Sequence, residues 1–541
     1  MSNYIATVID TTGIQKYIFG SNRLKENIGA SHLVKLSTVE WVKDCLRCLG
    51  NVHIPDEDKE EVEPRINVDE SIVAELVYAG GGNTILLFRN MEYALHIQFT
   101  QNLTRKILED APGLNIVIAH HPFDWDTQLL QQVIENDLIK GKLDAQKRQP
   151  RPSVPLLGLS VTATCRSTGL VAVEDTNGKY GIPQGEGYLA SREIITKLKA
   201  ADEANTQLKW MLFKEKPSKY KIARDVDDMG RTEQESSYIA LVHADGNQMG
   251  KRFEHYGKLQ ANSNKSISAK NQDFVIAMRR LSWGVSKAAS QAIAEVGKLV
   301  IDSIEEGQIN IKQNYLPFRP IVYGGDDVTF VCDGRIGLPL AVKFLKEFEK
   351  RTQNLPDGKG KATACAGIAI VKTHYPFSRT YELCEALCSS AKNFVREDTD
   401  NYSDRKPIFS ALDWHIAASG LSGSISEIRE REYQGGKLTT RPMRSHEYGN
   451  DWLTWTDFAE VVRTFNEEDP WKDKRNKVIT LREVLREGLA ATEQFLNTYG
   501  IKELPAFPKA SSTLRKKGWD GGRCRYFDAI EAMEFYIPLG E

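Results

Sequence analysis

Short runs of β-branched and aromatic residues, each ended by glycine or an acidic residue, alternate along this chain with longer stretches in which apolar side chains return every three or four positions. The first pattern predicts strands and the second helices. Strands are predicted over 4–10, 75–88 (broken by Gly80, Gly81 and Gly82), 114–119, 237–244, 321–331 (broken by Gly324 and Gly325), 362–371 and 408–416. Helical periodicity runs from Gln15 through Val34 and Leu36, over 93–108, after the turn at 245–250, through Leu383 and Leu387, and over 453–465, 481–499 and 529–536. The fold class is therefore α+β.

The hairpin over 321–331 carries the chemistry. Paired glycines tolerate positive φ and let a ligand approach the backbone, because no Cβ intervenes. Asp326 and Asp327 follow them and offer hard oxygen ligands of the kind that hold Mg²⁺ or Mn²⁺ against a nucleotide's phosphates. Neighbouring strand residues point to opposite faces, so the two share a metal only where the turn breaks that alternation. A solvated Gly-Asp turn has the same composition. A second acidic strand end shifts the balance: 237–244 ends on Asp245, and Gly246, Asn247 and Gly250 form a turn into a helix whose amides suit phosphate. Lys392, on a later helix, is placed to meet a phosphate, although its position also suits a plain surface lysine.

The early part of the chain repeats this order. Asp10 corresponds to Asp245, and Gly80-Gly81-Gly82-Asn83 to Gly324-Gly325-Asp326-Asp327, with 70 and 79 residues between the matched points. The first copy has kept the turn and lost its carboxylates, which predicts one catalytic unit and one that only binds.

Charge and cysteines narrow the classes. With 71 basic and 73 acidic residues among 541 the net charge is -2, too even for a global nucleic-acid-binding field. Eight scattered cysteines fit reduced thiols in a cytoplasmic protein, no apolar run reaches membrane-spanning length, and no signal peptide is visible. Cys45 and Cys48 read as core thiols, as do Cys384 and Cys388. His243 and His415 read as satisfied core residues. The basic stretch 514–519, with Arg523 and Arg525, reads as a solvated face or a contact for RNA or a partner.

Asp245-Gly246-Asn247-Gln248-Met249-Gly250, Gly324 to Asp327, the Ala391-Lys392 helix end, and the opening Gly13-x-Gln15 with Tyr17, Ile18, Arg23 and Gly29-Ala30-Ser31 together resemble the large polymerase/cyclase subunit of type III CRISPR effector complexes. The related GGDEF-type cyclases share the palm, but Val328 does not fit their pattern. The resemblance implies two tandem ferredoxin-like palm domains, a small insertion between them and a C-terminal helical domain: 1–150 a first, non-catalytic palm; 151–235 an inter-palm segment; 236–425 a second, catalytic palm; 426–541 the helical domain. It also implies an ATP-consuming cyclase that makes cyclic oligoadenylates in antiviral defence, with Asp245, Asp326 and Asp327 as catalytic metal ligands for two Mg²⁺ or Mn²⁺ ions. Gly246, Asn247, Gly250, Gly324, Gly325, Lys392 and Gly80 to Asn83 would line nucleotide seats. Guide or target RNA and other effector subunits are the implied partners. Cys165-Arg166-Ser167-Thr168-Gly169 resembles the start of the family's zinc ribbon, but the further ligands are missing and no zinc is expected. Asn247 stands where the family often has a second acid. The family's His-Asp nuclease signature is not found, so DNA cleavage is not expected. A scaffold subunit with little catalysis, and a stand-alone synthase outside CRISPR, remain alternatives.

Overall fold

The computed structural model describes residues 3–90, 94–149, 159, 161–214, 219–229, 238–400, 408–417, 423–447, 454–507 and 512–540. The proline-rich break over 150–155, Tyr93, residues 230–237 and Leu453 lie outside them.

Two sheets dominate. The first is built from β1 (Tyr4–Thr12), β2 (Ala74–Gly80), β3 (Asn83–Arg89) and β4 (Asn115–Phe123), with the short strand Val52–His53 at its edge. The second uses β5 (Tyr238–Gly246), β6 (Phe318–Val322), β7 (Asp327–Asp333), β8 (Ala364–Lys372), β9 (Ala411–Ile416) and β10 (Met443–Arg444). In space the first runs β2-β3-β1-β4 and the second β6-β7-β5-β8, so four strands correspond one to one. Registers agree as well. Asp10 stands opposite Asn83, and Asp245 opposite Asp327. Each hairpin also slips register at the same point, between Leu76 and Tyr78 in one and between Pro320 and Val322 in the other. A shared bulge at a shared position is the mark of a duplicated unit.

The two hairpins differ at their tips. β2 and β3 pair as far as Gly80 and Asn83, closed by Gly81 (φ 61°) and Gly82 (φ 83°), the positive-φ pair that a two-residue hairpin turn requires. The pairing of β6 with β7 stops at Val322 and Thr329, which leaves 323–326 as an open loop. This is the break in alternation that two adjacent aspartates need in order to serve one site.

Packing follows the period of two along each strand. Tyr4, Ala6 and Val8 enter one core while Ile5 and Ile9 enter another. In β5, Ala240, Val242 and Ala244 pack beneath a long helix, and Ile239 and Leu241 face the opposite way. That opposite face joins Ile321 and Val331 to Ile5, Ile9, Leu33, Leu86 and Phe88, so one core runs through both palms. Five helices matter for the site: α1 (Leu24–Lys35), α2 (Arg192–Phe213), α3 (Met249–Ala261), α4 (Ile267–Glu305) and α5 (Phe377–Asp400). α4 spans 39 residues and starts where the Ser266 hydroxyl accepts the Ala269 N–H.

Several expectations are corrected. The inter-palm segment is not separate from the first palm: α2 packs along α1 and puts Ala200, Ala201 and Ala204 into the shared core. The second sheet extends past residue 425, because β10 pairs with β9. The helical run over 481–499 is two helices, Arg475–Glu487 and Leu489–Thr498, parted at Gly488, whose φ of 99° no ordinary helix residue adopts. Cys48 is exposed at a helix end, whereas Cys45, Cys384 and Cys388 are buried. His243 and His415 are buried on their strands as expected. No helix among the described residues is long and apolar enough to cross a membrane.

Candidate functional site

Register alone puts Asp245 beside Asp327, since β5 and β7 pair antiparallel with these two residues opposed. The loop before Asp327 then folds over the end of β5, where the Gly246 N–H donates to the Asp326 carbonyl at 3.1 Å. Gly246 is needed there. A Cβ at that position would lie 2.6 Å from Met249 Cγ and 2.9 Å from Asp326 Cβ. The open loop is held from outside by the Ser286 hydroxyl, which donates to the Gly324 carbonyl at 2.9 Å, and Ser31 does the same for Ile321 at 2.5 Å.

The carboxylates are crowded. Burial in the cleft wall and the nearby Asp245 charge push the Asp326 carboxyl up to about 6 and that of Asp327 up to about 7. Lys392 is ion-paired with Asp245. Burial alone would lower its ammonium pKa, but the Asp245 carboxylate outweighs this and holds it above the ordinary value. His243 is kept neutral by burial; its Nδ1 lies 3.1 Å from Thr329 Oγ1 and 3.3 Å from Asp327 Oδ1. That Asp327 oxygen is buried without a hydrogen-bond partner, while 45% of the side chain remains open to the cleft. Hard oxygen donors, one of them orphaned and two reluctant to ionise together, fit a divalent cation. Among the described residues, no three acidic, histidine or cysteine side chains already converge as a metal cluster.

The first palm faces the same space. Gly80, Gly81, Gly82, Gly324, Gly325, Asp326 and Asp327 all line one cleft of about 880 Å³. The two turns meet: a Cβ on Gly325 would stand 3.8 Å from Gly81 Cα. In the first palm Asp10 is ion-paired with Lys147, the positional counterpart of the Lys392–Asp245 pair. The opening Gly13-x-Gln15 segment reaches the far side of the aspartates, where Thr11, Gly13, Gln15, Asp327 and Tyr381 surround a pocket of about 160 Å³.

Not every expected residue joins this cluster. Asn247 is buried, and its side-chain amide donates to Thr363 Oγ1 at 3.0 Å and to the Phe409 carbonyl at 3.2 Å, so it anchors the turn to neighbouring strands instead of presenting its N–H to a nucleotide. Gly250 has open space around it, and close packing gives no reason for a glycine there. Asn83 is exposed at the tip of its hairpin. Sequence reading missed Lys147, Ser286 and the role of His243. Only Lys147 had a signal, as the repeat partner of Lys392.

Residues 238–399 match the family model for the second palm domain of Cas10/Cmr2. No curated protein matches the chain by sequence. Among solved structures, Csm1 from T. onnurineus superimposes with a TM-score of 0.50 at 13% identity, over 98% of this chain and 70% of that one. The Csm1–Csm4 cassette in complex with cA3 gives 0.52 at 13% identity, covering 98% and 70%, and the cassette with AMPPNP gives 0.52 at 13%, covering 99% and 70%. The duplicated sheets, the Gly-Gly-Asp-Asp loop and these likenesses agree: residues 238–399 match the second palm domain of Cas10/Cmr2, and the chain shares its fold with the Csm1 structures.

Proposed function

We propose that this chain is a metal-dependent nucleotidyltransferase that joins ATP by attack of a 3′-hydroxyl on an α-phosphate, releases pyrophosphate and makes cyclic oligoadenylate messengers in antiviral defence. The observation that carries the reading is the meeting of two unlike turns across one cleft, one with carboxylates and one without. Joining two nucleotides takes one seat that activates and one that only holds.

Asp245, Asp326 and Asp327 are the residues that would hold Mg²⁺ or Mn²⁺ on the donor side. Bound there, such ions neutralise phosphate charge and lower the pKa of an attacking hydroxyl. Lys392 sets an ammonium beside the same carboxylates, within reach of a donor phosphate. His243, neutral and buried, lies behind Asp327 and is hydrogen-bonded to Thr329, which leaves the Asp327 oxygen free for a cation. Gly80 to Gly82 leave room for the acceptor against bare backbone. Most acceleration in phosphoryl transfer comes from placement and charge, so no side-chain base is required.

The similar Csm1–Csm4 cassettes were solved with cA3 and with AMPPNP, which supports adenine nucleotides as ligands and a protein partner for this chain. A second reading, a guide-RNA scaffold with little catalysis, draws on one observation: Asp245 is engaged by Lys392. Incubating the purified chain with ATP and Mg²⁺ or Mn²⁺, and resolving products by mass, separates the two. Cyclic products that vanish in Asp326→Ala plus Asp327→Ala establish the cyclase. Products that need added RNA or partner subunits make it a regulated subunit, and continued silence leaves the scaffold.

A further inference from the structure

Helix α5 turns one flank toward the aspartates. Lys392 reaches Asp245 from it, and Tyr381, three turns earlier, sets its ring edge-on to His243 with 5.4 Å between centroids and shares a pocket wall with Asp327. Glu385 lies between them. It follows Tyr381 by one turn and precedes Lys392 by two, so the three side chains fall within about 40° around the helix axis. Cys388, on the same flank, fixes the level: its thiol donates to the Cys365 carbonyl at 3.3 Å, and Cys365 stands opposite Asp245 in the sheet.

Glu385 is exposed and, among the described residues, makes no hydrogen bond or ion pair, so the fold itself does not use its charge. The site does feel it. Behind burial and Asp245, Glu385 helps to raise the Asp327 carboxyl, and behind burial and Asp327 it helps to raise the Tyr381 hydroxyl. A further anion beside Asp326 and Asp327, whose carboxyls already resist ionising, is unfavourable unless a cation takes up the charge. The turn after Asp245 supplies no such acid, because Asn247 stands there with its amide bound to Thr363 and Phe409.

We propose that Glu385 is the fourth carboxylate of the metal site, delivered by α5 in place of an acid after Asp245, and that it binds the water shell of a divalent cation held at Asp327. Magnesium keeps several of its waters when bound, so a carboxylate beyond direct contact still accepts hydrogen bonds from them. The inference rests on the reading of Asp245, Asp326 and Asp327 as cation ligands.

The test follows free Mn²⁺ by electron paramagnetic resonance as the full chain is titrated without nucleotide, in low and in high KCl. Wild type is expected to bind Mn²⁺, and Glu385→Gln to bind it about 10-fold more weakly at both salt concentrations. Glu382→Gln is the control. It is exposed on the same helix but about 100° around the axis from Tyr381, and should bind as wild type does. Equal affinities of wild type and Glu385→Gln overturn the proposal. So does a defect that disappears in high salt, because screening removes a distant field and not a contact through water. Melting temperatures should match wild type, and a clear loss in Glu385→Gln would make the residue structural instead. The aspartate reading is tested apart: no Mn²⁺ binding by wild type, or full binding by Asp326→Asn plus Asp327→Asn, means that these aspartates are not the ligands, whatever Glu385 does.

Discussion

Lys147 is ion-paired with Asp10 in the palm whose turn has no aspartate, as Lys392 is with Asp245 in the palm whose turn has two. The first palm thus keeps the lysine–aspartate pair while its turn lacks the two aspartates. Lys392→Ala is expected to cut product formation about 10²-fold, the scale of losing one charge-stabilising donor. Lys147→Ala should act mainly on the KM for ATP. Steady-state rates of product formation for both variants check this, and equal kcat losses would refute the division of labour.

Gly82 explains why carboxylates are not simply restored in the first palm. At φ 83°, and with Ile14 Cδ1 and Thr11 Oγ1 each 2.9 Å from a would-be Cβ, Gly82→Asp should lower stability by about 1–3 kcal/mol. Asn83→Asp, at the exposed tip, should change it little. Chemical denaturation of the two variants measures the difference.

Gly246→Ala places a methyl against Asp326. Its φ is not positive, so the backbone accepts alanine and the strain falls on the site. Activity is expected to drop about 10²-fold, as misplacement by about an ångström does, with a small change in melting temperature. A melting loss as large as that of a core deletion would contradict it.

Metal should stabilise the fold in a pH-dependent way. The carboxyls of Asp326 and Asp327 are raised to about 6 and about 7, above the ordinary value of 3.8, so the metal-free fold holds protons that the unfolded chain has released. Their contribution is most favourable at low pH and is lost as pH rises through about 6 to 7. Added Mg²⁺ should therefore raise the melting temperature more at pH 8 than at pH 6. Asp326→Asn plus Asp327→Asn should abolish that difference.

His415 works in the opposite sense. Burial, followed by the charges of Arg441 and Arg429, pushes its pKa down to about 3 from 6.5, so the unfolded chain binds the proton first as pH falls. Stability is full above pH 6.5 and declines below it, by ~2 kcal/mol between pH 7 and pH 5 at 1.36 kcal/mol per pH unit. The difference between wild type and His415→Leu, followed from pH 8 to pH 5, isolates this term.

The sequence made the duplicated architecture legible because its signals are local: an acid at the end of an apolar strand and a glycine turn one hairpin later. Asp10 opposite Asn83 and Asp245 opposite Asp327 bear that out in register. What stayed hidden depends on distant partners. Asn247 looked like a ligand because it follows Asp245, but its amide is used by Thr363 and Phe409, more than a hundred residues away. Helix α2 was not foreseen within 151–235, because it exposes its charged side and hides its alanines.

Helix α4 works as a ruler. Arg279 donates to the Leu76 and Val77 carbonyls at the bulge of the first hairpin, and Ser286, two helical turns further on, donates to the Gly324 carbonyl in the turn of the second. The spacing of the two hairpins is thus written into seven residues of helix, at ~1.5 Å each. One residue added between these anchors would swing one of them by about 100° around the axis and uncouple the two hairpins, while leaving each palm intact.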